Sequence, residues 1–292
     1  MKLERLVKPY RITRGDKFRL RDIDPGDTGG LDLDRDAATA LLRAGTDRLA
    51  ELQDRLYAQN RWAVLVIFQA MEAAGKDSAI KHVMSGVNPQ GCQVHSFKVP
   101  STEELNHDFM WRALWRLPTR GVIGIFNRSY YEETLVVRVH PEILAKQPLP
   151  ESLVGKNIWS ERFQDINAIE RYLARNGVVI CKFFLHLTRA EQKKRFLERL
   201  DKPEKHWKFS ANDVAERQHW ADYMTAYEDM IRNTATPETP WHVVPADNKW
   251  FTRLVVAGTI ISRLEALELA IPMPGPEKQK ELKAARLALQ RT

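Results

Sequence analysis

The chain has 292 residues, 43% of them hydrophobic, enough to bury one large core or two smaller ones. No apolar run approaches the ~20 residues of a membrane helix, and Met1-Lys2-Leu3-Glu4-Arg5 leads into no hydrophobic signal core, so a cytoplasmic protein that does not engage a membrane is expected. Two isolated cysteines, Cys92 and Cys181, argue against a disulfide framework, while 45 Lys and Arg against 38 Asp and Glu, a net charge of +7, suit a polyanionic partner.

An N-terminal arm with a Gly- and Asp-rich stretch at 21–34 leads into a predicted helix over 35–59. Predicted strands then fall at 62–68, 92–99, 122–126, 178–185 and 241–244. Helical periodicity fills the intervals, at 79–85, 102–115, 160–176, 189–200, 212–234 and 249–269. Such alternation predicts an α/β fold, a parallel sheet with helices on both faces, whose ligands collect at the carboxyl ends of the strands. A proline-rich stretch at 271–277 separates a basic tail whose charges alternate with Leu and Ala at helical spacing, read as a solvated helix. The expected organisation is an arm and helix over 1–60, a main domain over 61–270 with a lid at about 189–215, and a tail helix over 271–292.

The strand at Val64-Leu65-Val66-Ile67-Phe68 runs into Gln69-Ala70-Met71-Glu72-Ala73-Ala74-Gly75-Lys76-Asp77-Ser78, a near-match to the P-loop G-x-x-x-x-G-K-[ST]. Ala70 takes the first glycine position, Asp77 the hydroxyl position, and Ser78 comes one residue late. The preceding strand and following helix are the context that motif requires, with backbone N–H groups around a phosphate and Lys76 reaching the next one. Ala73, Ala74, Gly75, Asp77, Ser78 and Lys81 are therefore phosphate-side candidates.

A second cluster closes the third predicted strand: Phe126-Asn127-Arg128-Ser129-Tyr130-Tyr131-Glu132-Glu133. Arg128 can grip a phosphate with its planar fork. Asn127 stands where an acid usually handles Mg²⁺, leaving Glu72, Asp77 and Glu132 as candidate metal ligands or base. A third cluster, from Arg195 and Arg199 through Lys205 to Lys208, mixes cations, a proline break and aromatics, and reads as a lid over phosphates. On an ordinary helix the same charges would form a solvated face.

Glu72-Ala73-Ala74-Gly75-Lys76-Asp77, the stretch from His82 to Gly91, the Phe126–Glu133 cluster, Asp201-Lys202-Pro203-Glu204-Lys205-His206-Trp207-Lys208 and Pro245-Ala246-Asp247-Asn248-Lys249-Trp250 together resemble the polyphosphate kinase 2 family over about residues 10–270. The resemblance implies a thymidylate-kinase-like P-loop kinase fold. It implies reversible phosphoryl transfer from inorganic polyphosphate to AMP and ADP, giving ATP, with Mg²⁺ or Mn²⁺ as cofactor. Guanine nucleotides are further candidates, and a homo-oligomer, dimer or tetramer, is expected. Lys76 would bind the transferring phosphoryl group, Glu72 would replace the metal-binding Asp usual in this loop, Arg128 would contact phosphate, and Arg195, Arg199, Lys205 and Lys208 would form the lid. Asn127 is similar to the subgroup that accepts nucleoside monophosphates.

Polyphosphate has no base or sugar to recognise, so a basic channel suits it, with the nucleotide entering from the other side. Asn88, Pro89, Glu132 and Glu133 are the nucleotide-side candidates, Glu133 alternatively a helix cap. The rival readings are an ATP-dependent nucleoside monophosphate kinase and a non-enzymatic polyanion binder. Nucleic acid is not an expected partner, since the cations gather with a phosphate loop rather than with stacking aromatics. The eight histidines show no zinc-ligand spacing.

Overall fold

The computed structural model describes residues 3–291; Met1 and Lys2 of the arm and Thr292 of the tail lie outside the described residues. Six strands, β1 (Arg11–Ile12), β2 (Ala63–Ala70), β3 (Cys92–Ser96), β4 (Ile123–Asn127), β5 (Val178–His186) and β6 (Trp241–Pro245), form one sheet in the order β1-β6-β5-β2-β4-β3. Every neighbouring pair is parallel except β1 with β6. Register aligns Phe68 of β2 with Asn127 of β4, Ala70 of β2 with Leu185 of β5, and His186 of β5 with Pro245 of β6, so the carboxyl ends of four strands share one rim. That rim carries every loop discussed below as a site.

Helices cover both faces, which is why β2 is buried along its whole length and reads as an unbroken apolar run. Adjacent residues of a strand point to opposite faces. Cys181 lies near Arg263 of the helix Lys249–Glu265, whereas Lys182 reaches Glu170 of the helix Ile158–Arg175 and the Thr234 carbonyl closing the helix Trp220–Thr234. Phe68, Phe126, Phe183, Phe184 and Trp241 fill the core between these layers. Each such ring stabilises the fold by about 1.5–3 kcal/mol through burial.

The helix Arg35–Gln59 matches its sequence prediction because both ends are chemically marked. Asp34 Oδ1 accepts from the Ala37 N–H at 2.7 Å, and Asn60 turns the chain out at φ +50°. Two expectations need correction, and one strand was not foreseen. The 102–115 helix breaks into Thr102–Leu105 and Trp111–Leu114, because Asp108 Oδ1 takes the Met110 N–H and makes a local turn instead. The 212–234 helix tightens to a 3₁₀ turn at Arg217–His219, where the Arg217 carbonyl is drawn to the Arg189 guanidinium. The short strand β1, two residues long, carries too little pattern to be read in sequence. The tail helix Pro276–Leu289 is exposed throughout, and no described helix is long and apolar enough to cross a membrane.

Candidate active site

The loop between β2 and the helix Lys76–Val83 owes its shape to two left-handed residues, Ala73 at φ +63° and Gly75 at φ +106°. The Ala74 N–H closes a turn on the Met71 carbonyl at 3.3 Å, and left-handed turns of this kind are the backbone geometry from which anion nests are built. Ala70, at the motif's first glycine position, belongs to β2 and keeps a negative φ, so glycine is not required there. Lys76 opens the helix with its side chain buried, and its Nζ donates to the Ala70 carbonyl at 3.0 Å. Burial lowers the Lys76 pKa and the neighbouring Glu72 carboxylate partly offsets that.

Across the loop, β4 ends at Asn127, whose amide donates to Asp77 Oδ1 at 2.7 Å. Arg128 follows at φ +66°, a conformation that throws its side chain back over the loop. Its guanidinium lies 3.5 Å from Glu72 and 3.4 Å from Glu132. Arg199 reaches the other oxygen of Glu72 at 3.1 Å and approaches Asp213 at 3.9 Å. Glu72 is thus clasped between two arginines from different elements. Burial alone would raise its pKa, but the charges of Lys76 and Arg199 outweigh burial and hold the carboxyl at about 2. The Glu132 carboxylate raises the Arg128 pKa, and burial raises that of Asp213.

Arg195 occupies a different place from its lid neighbours. It is buried, and its five N–H groups all meet protein acceptors. Nη1 donates to the Ala73 and Ala74 carbonyls at 3.1 and 2.9 Å, Nη2 to those of Ala246 and Asp247 at 2.6 and 3.0 Å, and Nε to Glu191 at 2.8 Å. Gln192, one turn earlier, donates to the Glu72 carbonyl at 2.9 Å. The helix Arg189–Leu200 therefore holds the carbonyl side of the phosphate loop, which leaves the loop's N–H side for a ligand. Lys208 is exposed and Lys205 half-buried, both in the 3₁₀ segment Pro203–Lys208, while Lys81 is exposed on the far turn of the loop's helix.

The structure brings Glu72, Ala73, Ala74, Gly75, Lys76, Asp77, Ser78, Asn127, Arg128, Glu132 and Arg199 to this rim. It does not bring the other nucleotide-side candidates there. Asn88 and Pro89 precede β3, at its amino end beside Ile123 of β4, on the opposite rim of the sheet. Glu133 turns inward, buried against Arg162 at 3.2 Å and Gln147 at 2.9 Å. Sequence reasoning missed Gln192, Asp213 and Arg253, the last donating to Ser78 Oγ at 2.9 Å. Asp247 fixes the start of the lid helix by accepting from Thr188 N and Oγ1, at 2.8 and 2.9 Å.

Comparison with known proteins agrees with this geometry. Residues 32–271 match the family described as Polyphosphate kinase 2. An ADP-polyphosphate phosphotransferase of Rhodopseudomonas palustris is 50% identical over 97% of this chain and 98% of its own length. An AMP/ADP-polyphosphate phosphotransferase of Meiothermus ruber is 41% identical over 94% and 98%. The crystal structure of Polyphosphate Kinase 2 from Arthrobacter aurescens superposes with a TM-score of 0.86 at 37% identity, covering 96% of each chain. With most of the chain inside the family match and the P-loop kinase architecture shared throughout, the chain belongs to the polyphosphate kinase 2 family.

Proposed function

We propose that this protein transfers the terminal phosphoryl group of inorganic polyphosphate to ADP and to AMP. The observation that carries the reading is the convergence of Lys76, Arg128 and Arg199 on one phosphate loop at the carboxyl rim of the sheet. Phosphoryl transfer needs positioning and charge neutralisation more than covalent chemistry, and that is what this arrangement supplies. A terminal oxygen of the nucleotide's last phosphate attacks the end phosphorus of the chain. The new P–O bond forms as the bridging P–O bond breaks, and the shortened polyphosphate leaves with the electron pair.

Each residue has a distinct part in that step. Loop N–H groups between Ala73 and Gly75 hold the transferring group, and Lys76 exchanges its carbonyl partners for phosphate oxygens. Arg128 and Arg199 move from Glu72 to the phosphates, balancing charge as it spreads over the equatorial oxygens. Asn127 keeps Asp77 oriented. The acceptor side belongs to Glu132 and the end of β4, while Asn88, Pro89 and Glu133 stand away from it.

The donor set also fits a hard divalent cation. Among the described residues no three His, Cys, Asp or Glu gather into a closed cage. Mg²⁺ or Mn²⁺ needs only one or two carboxylates, with phosphate oxygens and water completing the shell. Glu72, kept ionised by its surroundings, and Asp77 would hold it, and the ion would neutralise charge on the bridging oxygens. Cys92 and Cys181 are both free thiols, in keeping with a reducing cytoplasm.

The test is to incubate the protein with Mg²⁺, long-chain polyphosphate and either AMP or ADP, without ATP, and to resolve the nucleotides by chromatography. ATP from ADP, and ADP followed by ATP from AMP, are expected. Lys76→Met should slow both reactions by about 10²–10³-fold, the range seen when one preorganised charge-stabilising donor is lost. Transfer only with ATP as donor would overturn the reading in favour of an ordinary nucleotide kinase.

A further inference from the structure

A cavity of about 470 Å³ lies behind the lid and shares no residue with the phosphate-loop site. Its floor is His186 at the carboxyl end of β5, with Leu187 beyond it. One wall is the arm at Leu20, Arg21 and Pro25, and the other is the helix Trp220–Thr234. Thr188 caps and Arg189 opens the lid helix, and Trp220 follows the 3₁₀ turn Arg217–His219 at the lid's other end, so the cavity sits where the lid is rooted. Its volume falls within the roughly 300–1,000 Å³ of small-molecule sites.

Two of its polar groups lack partners. His186 is only 8% exposed, its Nδ1 is buried without a hydrogen bond, and no described residue bonds to the ring at all. Burial keeps the imidazole neutral by lowering its pKa to about 4, so the ring offers one donor and one acceptor. Trp220 is partly buried against the core, yet among the described residues no aromatic ring stacks on its indole and no acceptor takes its N–H. The charges of the lining cancel. Arg21 and Arg189 are exposed, whereas the two carboxylates are held from other sides, Glu228 by the Leu20 N–H at 2.7 Å and Arg232 at 3.7 Å, and Asp229 by Arg138 at 2.6 Å.

A lining without net charge gives a long polyanion no advantage, and its carboxylates would repel one. A buried imidazole without partners gains most from a ligand that completes its hydrogen bonds, and a free indole face adds stacking to a flat ring. A nucleobase offers both, a π-face and an edge of donors and acceptors. We infer that this cavity is a second binding site for a nucleoside or nucleotide, apart from the acceptor site, with the base stacked on Trp220 and hydrogen-bonded to His186. The sugar then lies toward Arg21 and Arg189, which in a nucleotide take the phosphate.

The test is calorimetric titration with AMP, without polyphosphate. Wild type should bind two AMP per chain. Arg128→Gln should weaken one site only. His186→Leu should weaken the other about tenfold, the size of one buried hydrogen bond, and Thr225→Trp, which fills the cavity from its exposed rim, should abolish it. The acceptor site, retained in the same titration, reports that each variant is folded. Adenosine binding as tightly as AMP would assign recognition to base and sugar; weaker binding would assign part of it to Arg21 and Arg189. A single site in wild type, a second site indifferent to both cavity variants, or displacement of that AMP by tripolyphosphate would overturn the inference. A wild type that bound the second AMP but failed to use polyphosphate would overturn the functional reading and leave this site standing.

Discussion

Arg195 shows how one side chain can hold an active site without meeting substrate. Its flat fork joins two carbonyls of the phosphate loop to two carbonyls after β6, and only a guanidinium has donors spaced to do so. Arg195→Lys keeps the charge but offers three donors from a single point, so at least one carbonyl pair loses its partner. We expect a loss of about 2–4 kcal/mol in stability by urea unfolding, the scale of breaking a buried, hydrogen-bonded charge. Turnover should fall with it, because the loop carbonyls would be free to turn. A residue that merely bound polyphosphate would behave otherwise, with a raised KM for polyphosphate and unaltered unfolding. That contrast decides between the two roles.

At the scale of an element, the segment after β4 is held by an ionic centre on the far side of the core. Lys182 of β5 is fully buried and donates to Glu170 at 2.6 Å, to the Thr234 carbonyl at 2.7 Å and to Tyr131 Oη at 3.1 Å. Glu170 accepts in turn from the hydroxyls of Tyr130 and Tyr131, at 2.9 and 2.7 Å. The tyrosines thus anchor the stretch that presents Arg128 in its left-handed conformation. Lys182→Met should cost about 3–5 kcal/mol, since it strands the Glu170 charge in the core, and Lys182→Met with Glu170→Gln should recover part of that loss. Additive effects in the double variant, measured by denaturant unfolding, would mean that the two groups do not form a unit. The lysine inside the apolar run Ile180-Cys181-Lys182-Phe183-Phe184 was the one sequence signal of this centre, because its partners Tyr131, Glu170 and Thr234 come from three separate stretches. The phosphate loop and Arg128 were legible for the opposite reason: their residues are contiguous and sit between a strand and a helix. A cation such as Arg195 reads the same whether it faces a phosphate or a carbonyl. Asn88 and Pro89 looked plausible because they adjoin a strand, and only the direction of β3 shows them to be at its wrong end.

For the whole molecule, acid should act on stability in two successive windows. His186 and His242 are buried and neutral; burial lowers their pKa values to about 4 and about 3 from an ordinary 6.5, with Asp247 and the Lys182 carbonyl opposing only in part. The unfolded chain takes up those protons first, so the stability they contribute is complete above pH 6.5 and declines as the pH falls through that value towards 4 and then 3. Glu72 works in the same direction at lower pH. Its folded pKa of about 2 lies below the ordinary 4.5, so its contribution is complete above 4.5 and is lost as the pH falls from there to about 2. Unfolding free energy should therefore decline between pH 6.5 and 4.5, before the carboxylate takes effect. Each histidine adds up to about 1.4 kcal/mol per pH unit to that slope. His186 is the better probe of the first window, since its Nδ1 makes no hydrogen bond and His186→Leu gives up little else. The variant should match wild type near pH 7.5 and decline less steeply below 6.5, whereas Glu72→Gln should be less stable than wild type by a constant margin above 4.5 and close that gap as the pH falls below it. A wild-type profile flat from pH 6.5 to 4.5 would show that these imidazoles are solvated rather than buried, and with them the packing of β5 and β6 that excludes water from the carboxyl rim.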